Sequence, residues 1–394
     1  MMEKYDFDRI IDRRGSGDVR MNLKEVFGRE DLISLWVADM DFATPEPILN
    51  AIRTRLYHPI LGYPATQPWF WKSIIDWIRW RHGWNVEREW LDFVPGIVKG
   101  IALAVECFTK SGDKVVIQTP VYHPFRIVPE ALGREVVANP LLETPDHGWE
   151  MDLERLDDLL NDPKAKMLIL CNPHNPTGTS WSRETLAEVA EICSRNGVIV
   201  ISDEIHSDIM LFGHRHTPFA TVSDEAASCS ITFASPSKTF NMPGVVSSYA
   251  IVPDPGIRDV FFGFLKATEL DYPHIFATLA TRAAFEECRE WREAMLSYVE
   301  GNILFVEKFL KERIPEIRIS RPEATYLVWL DCRGLGLDHR ELVDLFVNGA
   351  RLGLNDGEMF GPGGEGHMRL NVATPRPVLE RAMENLEKAI AERR

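Results

Sequence analysis

Four stretches of the chain each carry a reactive side-chain type directly behind a short apolar run. VVIQT is followed by Pro120-Val121-Tyr122, and MLIL by Cys171-Asn172-Pro173-His174-Asn175-Pro176-Thr177-Gly178. VIVIS is followed by Asp203-Glu204-Ile205-His206, and ITFA by Ser235-Pro236-Ser237-Lys238. An aromatic ring, an amide, a carboxylate with an imidazole, and an amine between hydroxyls therefore stand at successive strand ends. Each alone has an ordinary explanation: Asn-Pro and Pro-Thr-Gly make turns, carboxylates cap helices, and most lysines are solvated. All four on one rim are harder to explain that way, because open α/β sheets collect ligands beyond the carboxyl ends of their strands.

The set meets the needs of pyridoxal phosphate. A lysine must form the Schiff base, a carboxylate must keep the pyridine nitrogen protonated, and further groups must hold the ring hydroxyl, the ring face and the phosphate. Lys238, Asp203, Asn175 with His206, Tyr122, and Ser235 with Ser237 suit these tasks in turn. FVPGIVKGIALAV (93–105) adds a second phosphate candidate, since Gly96 precedes a helix-like run whose first N–H groups can cradle an anion.

With these residues in view, the chain resembles the fold-type I pyridoxal-phosphate enzymes of the class I/II aminotransferase superfamily. The resemblance is greatest to the MalY/PatB branch of cystathionine β-lyases, or carbon-sulfur lyases. It rests on WVADMDFATPEPI (36–48), GYP (62–64), PGIVKGI (95–101), TPVYHPF (119–125), NPHNPTG (172–178), SDEIHSDI (202–209), SPSKTFNMPG (235–244) and HMRLNVATPR (367–376). NPxNPTG, then D-E-x-H, then S-x-S-K marks the superfamily; WVADMDF and DEIHSDI point to the lyase branch.

The resemblance implies an aspartate aminotransferase-like α/β fold, and roles for individual residues. Lys238 is the expected Schiff-base lysine, Asp203 the partner of the ring nitrogen, and Tyr122 the residue stacked on the ring. Asn175 and His206 are expected at the ring hydroxyl. Ser235, Ser237 and the amides of Ile97 and Val98 are expected at the phosphate, with Tyr63 reaching across from the second subunit of a homodimer. Arg369 is expected to bind the substrate carboxylate as a fork, with Asn175, Ala38 and Asp39 near the substrate. One departure stands out: many aminotransferases place an arginine eight residues after the lysine, and here that position is Val246. The implied reaction is α,β-elimination from L-cystathionine or a related sulfur amino acid, giving pyruvate, ammonia and a thiol. Transamination between an amino acid and a keto acid uses the same near residues and is the alternative. A pyridoxal-phosphate protein kept for regulation is a third reading, although no DNA-binding appendage is visible.

Positioning these residues requires a particular order of elements. The runs at 113–120, 166–172, 197–204, 230–235 and 246–252 read as buried strands. Between them, 151–162 and 182–197 have helical periodicity, the second with Ser182 as N-cap and Gly197 as its stop. Such alternation predicts a mostly parallel sheet in a large α/β domain over 45–285. Beyond it the pattern predicts a smaller α+β domain, made of 286–394 with 1–44 packed onto it.

Composition narrows the class. With 394 residues, 45% hydrophobic and 26% charged, the chain has the makeup of a globular protein of more than one unit. Its 44 basic and 59 acidic side chains give a net charge of −15, which opposes binding to nucleic acid or anionic membranes. The six cysteines lack ligand spacing, so neither a zinc site nor a redox dithiol is expected. With neither a signal sequence nor a membrane span in view, a cytoplasmic location is expected. Three further features carry bland readings. GPGGEG (361–366) spells a dinucleotide fingerprint but precedes a strand, so it reads as a mobile loop beside Arg369. His214 and His216 read as a surface loop, not a metal site. The tryptophan-rich 68–84 reads as core or subunit contact.

Overall fold

The computed structural model describes residues 5–145 and 147–393. In chain order its strands are β1 (Ile33–Ser34), β2 (Leu91–Val94), β3 (Lys114–Ile117), β4 (Glu135–Ala138), β5 (Leu142–Glu143), β6 (Trp149–Glu150), β7 (Ala165–Cys171), β8 (Ile199–Asp203), β9 (Ser230–Ala234), β10 (Ser248–Ile251), β11 (Arg318–Ile319), β12 (Leu327–Asp331), β13 (Leu352–Gly353), β14 (Asn355–Asp356) and β15 (His367–Asn371).

The principal sheet has the order β2-β10-β9-β8-β7-β3-β4. Pairings β9·β8, β8·β7, β7·β3 and β3·β4 are parallel, while β10 runs antiparallel to both its neighbours. Strands covered on both faces are built mainly from apolar side chains, and in β7 (AKMLILC) only Lys166 departs from this. Two apolar layers result: one packs Ile169, Ile201, Ile231 and Phe233 against the Ile97–Phe108 helix, the other packs Leu168, Leu170 and Val200 against the Arg183–Arg195 helix. The latter helix begins where the Ser182 hydroxyl accepts from the Thr185 N–H. It ends at Arg195, two residues before Gly197, whose φ of 64° is a left-handed turn that glycine adopts without strain.

A second sheet, β11-β12-β15-β14, is antiparallel and leans on the 25-residue helix Arg289–Arg313. This helix is separate from the one before it: the Ile275–Glu287 helix ends at Cys288, where the longer one begins. Near the N-terminus, β1 pairs in parallel with β13, so residues 33–34 join the C-terminal part of the chain through backbone hydrogen bonds. Residues 1–4 and 394 of the expected smaller domain lie outside the described residues.

Two expectations need correction. The glycine run at 361–366 is a packed turn, not a mobile loop: a Cβ on Gly364 would lie 2.0 Å from the Gly357 carbonyl oxygen, and one on Gly363 would press on Pro120. Close approach of backbones, with no room for side chains, explains the composition. His216 is not on the surface; it is buried and bonds Glu204 at 2.7 Å, whereas His214 is partly exposed beside Glu323. In the tryptophan-rich helix Pro68–His82, Trp71 and Trp77 are buried and Trp80 remains exposed on one side.

Candidate active site

The strand order makes β9, β8, β7 and β3 consecutive, so the residues that follow them meet along one edge. Their side chains open into a cavity of about 420 Å³ lined by Lys238, Asp203, His206, Asn175, Tyr122, Ser237 and Arg369, with Ala38, Ile97 and Val98. Arg369 enters from β15, opposite Trp329 on β12 and Asn355 on β14.

Burial governs the electrostatics. It lowers the Lys238 amine to about 8, against which Asp39 and Asp203 act only partly. The Asp203 carboxyl is pushed up to about 7 by burial, although its Oδ1 accepts from the Ile205 N–H at 3.1 Å. His206 is lowered to about 3 by burial and by the positive charges of Lys238 and Arg369, and its Nδ1 has no protein partner. Burial also raises the Tyr122 hydroxyl and lowers His123 to about 4.

Arg369 is buried with only neutral partners: Asn175 Oδ1 at 2.9 Å, the Trp36 carbonyl at 2.9 Å and Asn355 Oδ1. Its plane lies over Phe360, 5.0 Å from the ring centroid, and desolvation lowers it to about 10. A desolvated guanidinium without an anion is costly unless it is kept for one, and a carboxylate matches its fork.

The N-terminal segment passes over the lysine. Lys238 Nζ donates to the Ala38 carbonyl at 2.6 Å, which also accepts from the Tyr326 hydroxyl at 3.0 Å. Asp39, expected near substrate, points away from the cavity: it pairs with Arg13 at 2.5 Å and Arg20 at 2.8 Å, and Asp41 pairs with the same two arginines. Its two arginine partners draw it to the opposite face of the segment. Ser235 likewise stands behind the cavity wall, donating to the Ser247 carbonyl at 2.7 Å and bonding Ser237 at 2.9 Å. Ser237 itself and the first turn of the Ile97–Phe108 helix, opened by Gly96 at φ 114°, do reach the cavity. Val246 lines the wall, where an arginine would have supplied charge. Tyr63 is fully exposed and away from this chain's own cavity.

Sequence reasoning missed Trp36, His123, Asn355 and Tyr326. The first two sit inside quoted strings beside selected residues, which was an available signal; Asn355 and Tyr326 depend on tertiary packing alone.

Residues 30–386 match the model of the family described as aminotransferase class I and II. The chain belongs to this family, in its MalY/PatB-like lyase branch. Cystathionine beta-lyase PatB of Bacillus subtilis (strain 168) is 42% identical over 387 residues, covering 98% of this chain and all of that protein. The crystal structure of cystalysin from Treponema denticola, which contains a pyridoxal 5'-phosphate cofactor, matches with TM-score 0.95 and 32% identity over 99% of this chain and 100% of its own. That of a PLP-bound C-S lyase from Staphylococcus hominis matches with TM-score 0.90 and 34% identity over 98% and 99%.

The residues present fit that cofactor. The cavity offers one buried amine, one carboxylate held by a single backbone N–H, an imidazole with an unpartnered buried nitrogen, and a helix N-terminus beside a serine. Among the described residues no group of His, Cys, Asp and Glu is arranged to hold a metal ion.

Proposed function

We propose that the protein is a pyridoxal-phosphate-dependent carbon-sulfur β-lyase, acting on L-cystathionine or a related sulfur amino acid. The observation that carries this is the meeting of Lys238, Asp203 and a carboxylate-free Arg369 on one buried cavity, in a chain of the lyase branch. When bound, pyridoxal phosphate supplies an electron-accepting ring that lets an amino acid lose its α-proton and then a β-substituent as an anion.

Each residue has a task in this reading. Arg369 binds the α-carboxylate through its fork and fixes which substrate atoms face Lys238. Lys238 would hold the cofactor through Nζ, and its free amine, lowered to about 8 by burial in the cofactor-free cavity, would take the Cα proton. Asp203 faces the ring nitrogen, whose positive charge restores the carboxylate to its ionised form. His206 and Asn175 face the ring hydroxyl, and Tyr122 covers the ring. Ser237 and the Ile97 and Val98 amides hold the phosphate, with Ser235 holding Ser237 in place. Ala38 keeps the lysine amine oriented through its carbonyl.

The working unit in this reading is a homodimer, with Tyr63 of each copy completing the phosphate site of the other. Support comes from Leu56, Tyr57, Ile60, Leu61 and Tyr63, all more than half exposed in one short stretch. We divide each copy into a large domain over 45–285 and a small one of 1–44 with 286–394. A cytoplasmic setting agrees with six unpaired cysteines, five of them buried, and among the described residues no helix is long and apolar enough to cross a membrane.

The test is incubation of purified protein with L-cystathionine and no keto acid. Pyruvate, ammonia and homocysteine in equal amounts support the lyase; turnover only after a keto-acid acceptor is added rejects it in favour of transamination.

A further inference from the structure

The turn at 203–208 has two faces. Asp203, Ile205 and His206 look into the cofactor cavity, while Glu204 and Asp208 look the opposite way, into the protein. Both rear carboxylates are buried and fully engaged. Glu204 accepts from the Ser202 hydroxyl at 2.9 Å and the Phe219 N–H at 2.9 Å through Oε1, and from His216 at 2.7 Å through Oε2. Asp208 accepts from the Trp77 indole at 2.9 Å through Oδ2 and bonds His82 at 3.1 Å through Oδ1, and its carbonyl accepts from Arg292 at 2.8 Å. The two imidazoles meet edge to face, 5.3 Å between centroids.

These donors come from separate parts of the chain: the Pro68–His82 helix, β8, the 214–219 loop and the Arg289–Arg313 helix. Apolar residues would fill the same space without the cost of desolvating two carboxylates, and such replacement is often neutral or stabilising. What polar pairs add is direction, since each hydrogen bond fixes an angle as well as a distance. The residues whose direction is thereby set are Asp203 and His206, on the other side of the same six-residue turn.

We infer that the Glu204–His216 and Asp208–His82 pairs are a positioning device that aims Asp203 and His206 at the cofactor ring. The inference rests on the reading of the cavity given above. Its test uses the cofactor's own signal in the holoenzyme without substrate, so that it stands apart from the choice of reaction. Glu204→Ala should release cofactor on dialysis about ten- to a hundredfold faster and reduce the visible circular dichroism of the bound cofactor. Glu204→Gln, which keeps acceptors for Ser202 and Phe219, should recover part of each. Lower thermal stability with cofactor release and visible dichroism unchanged would mean a merely structural role and overturn the inference. Should Glu204→Ala not fold, Asp208→Asn, which weakens the Trp77 and His82 bonds and removes the charge facing Arg81 at 3.9 Å, must show the same two cofactor effects, and their absence overturns it equally. A wild-type protein with no cofactor signal would instead reject the function proposed for the cavity.

Discussion

At the scale of single residues, chemistry is decided by what burial does to charge. Lys238→Ala should abolish turnover and the long-wavelength absorbance of the lysine-linked cofactor, read by absorbance of the purified protein; survival of that band would reject the lysine assignment. Arg369→Lys keeps the charge but loses the fork, so KM should rise and kcat/KM fall about a hundredfold, or ~2.7 kcal/mol in transition-state stabilisation. Equal kinetics would show that the carboxylate binds elsewhere. Asp203 offers a test of sign in the cofactor-free protein. Its folded-state carboxyl keeps a proton up to about pH 7, whereas an unfolded chain releases it near about pH 4. Stability is therefore lost as pH rises through that window, and none is lost below it. Asp203→Asn should raise the Tm of cofactor-free protein by several degrees at pH 8 and leave it unchanged near pH 4. A gain of the same size at both pH values would contradict a titration origin.

At the scale of elements, the N-terminal segment 36–42 shows how an irregular stretch is held as firmly as a strand. Its carbonyls are taken by Asn371, Arg369, Asn241 and Arg20, and its two aspartates by Arg13 and Arg20. Arg20→Ala would leave Asp39 and Asp41 short of a partner, at a cost of about 3–5 kcal/mol for breaking a buried pair. Denaturant unfolding should show this loss, and Lys238 should at the same time lose the fixed Ala38 acceptor, raising its exchange with added cofactor. This segment was legible in the sequence only as the string WVADMDF, and which way Asp39 faces was not legible because no periodicity governs a stretch outside helix and strand. The strand ends of β3, β7, β8 and β9 were legible for the opposite reason: apolar runs mark roughly where each strand stops, and Tyr122, Asn175, Asp203 and Lys238, at or a few residues beyond those ends, all line the cavity. His216 was misplaced because a Gly-flanked histidine pair looks solvated until Glu204, twelve residues earlier, turns inward to meet it. The glycines at 361–366 misled in the same way, since close backbone packing and mobility leave the same mark on composition.

At the scale of the whole molecule, the cavity and the exposed apolar stretch belong to one argument. Nothing in this chain brings Tyr63 to its own Ser237, yet Val246 leaves the phosphate site without the arginine that many aminotransferases place there. In the homodimer proposed above, charge and hydrogen bonding for a phosphate would then come from the helix N-terminus, Ser237 and a second copy of the chain. The net charge of −15 does not forbid this, since attraction over contact distances is set by local donors while the overall balance is screened within about 10 Å at ordinary salt. Assembly and cofactor retention should therefore be linked. Leu61→Glu, in the middle of the exposed stretch, should shift the protein to monomer in sedimentation equilibrium, because burying a charge in an apolar interface opposes association. The same variant should lose cofactor on dialysis although every cavity residue of its own chain is intact. Tyr63→Phe, which removes only the hydroxyl, should remain dimeric and lose cofactor faster than the native protein by about three- to tenfold, the worth of one hydrogen bond of about 1 kcal/mol. A monomeric Leu61→Glu protein that keeps its cofactor as firmly as the native one would place the whole phosphate site within a single chain and remove Tyr63 from it.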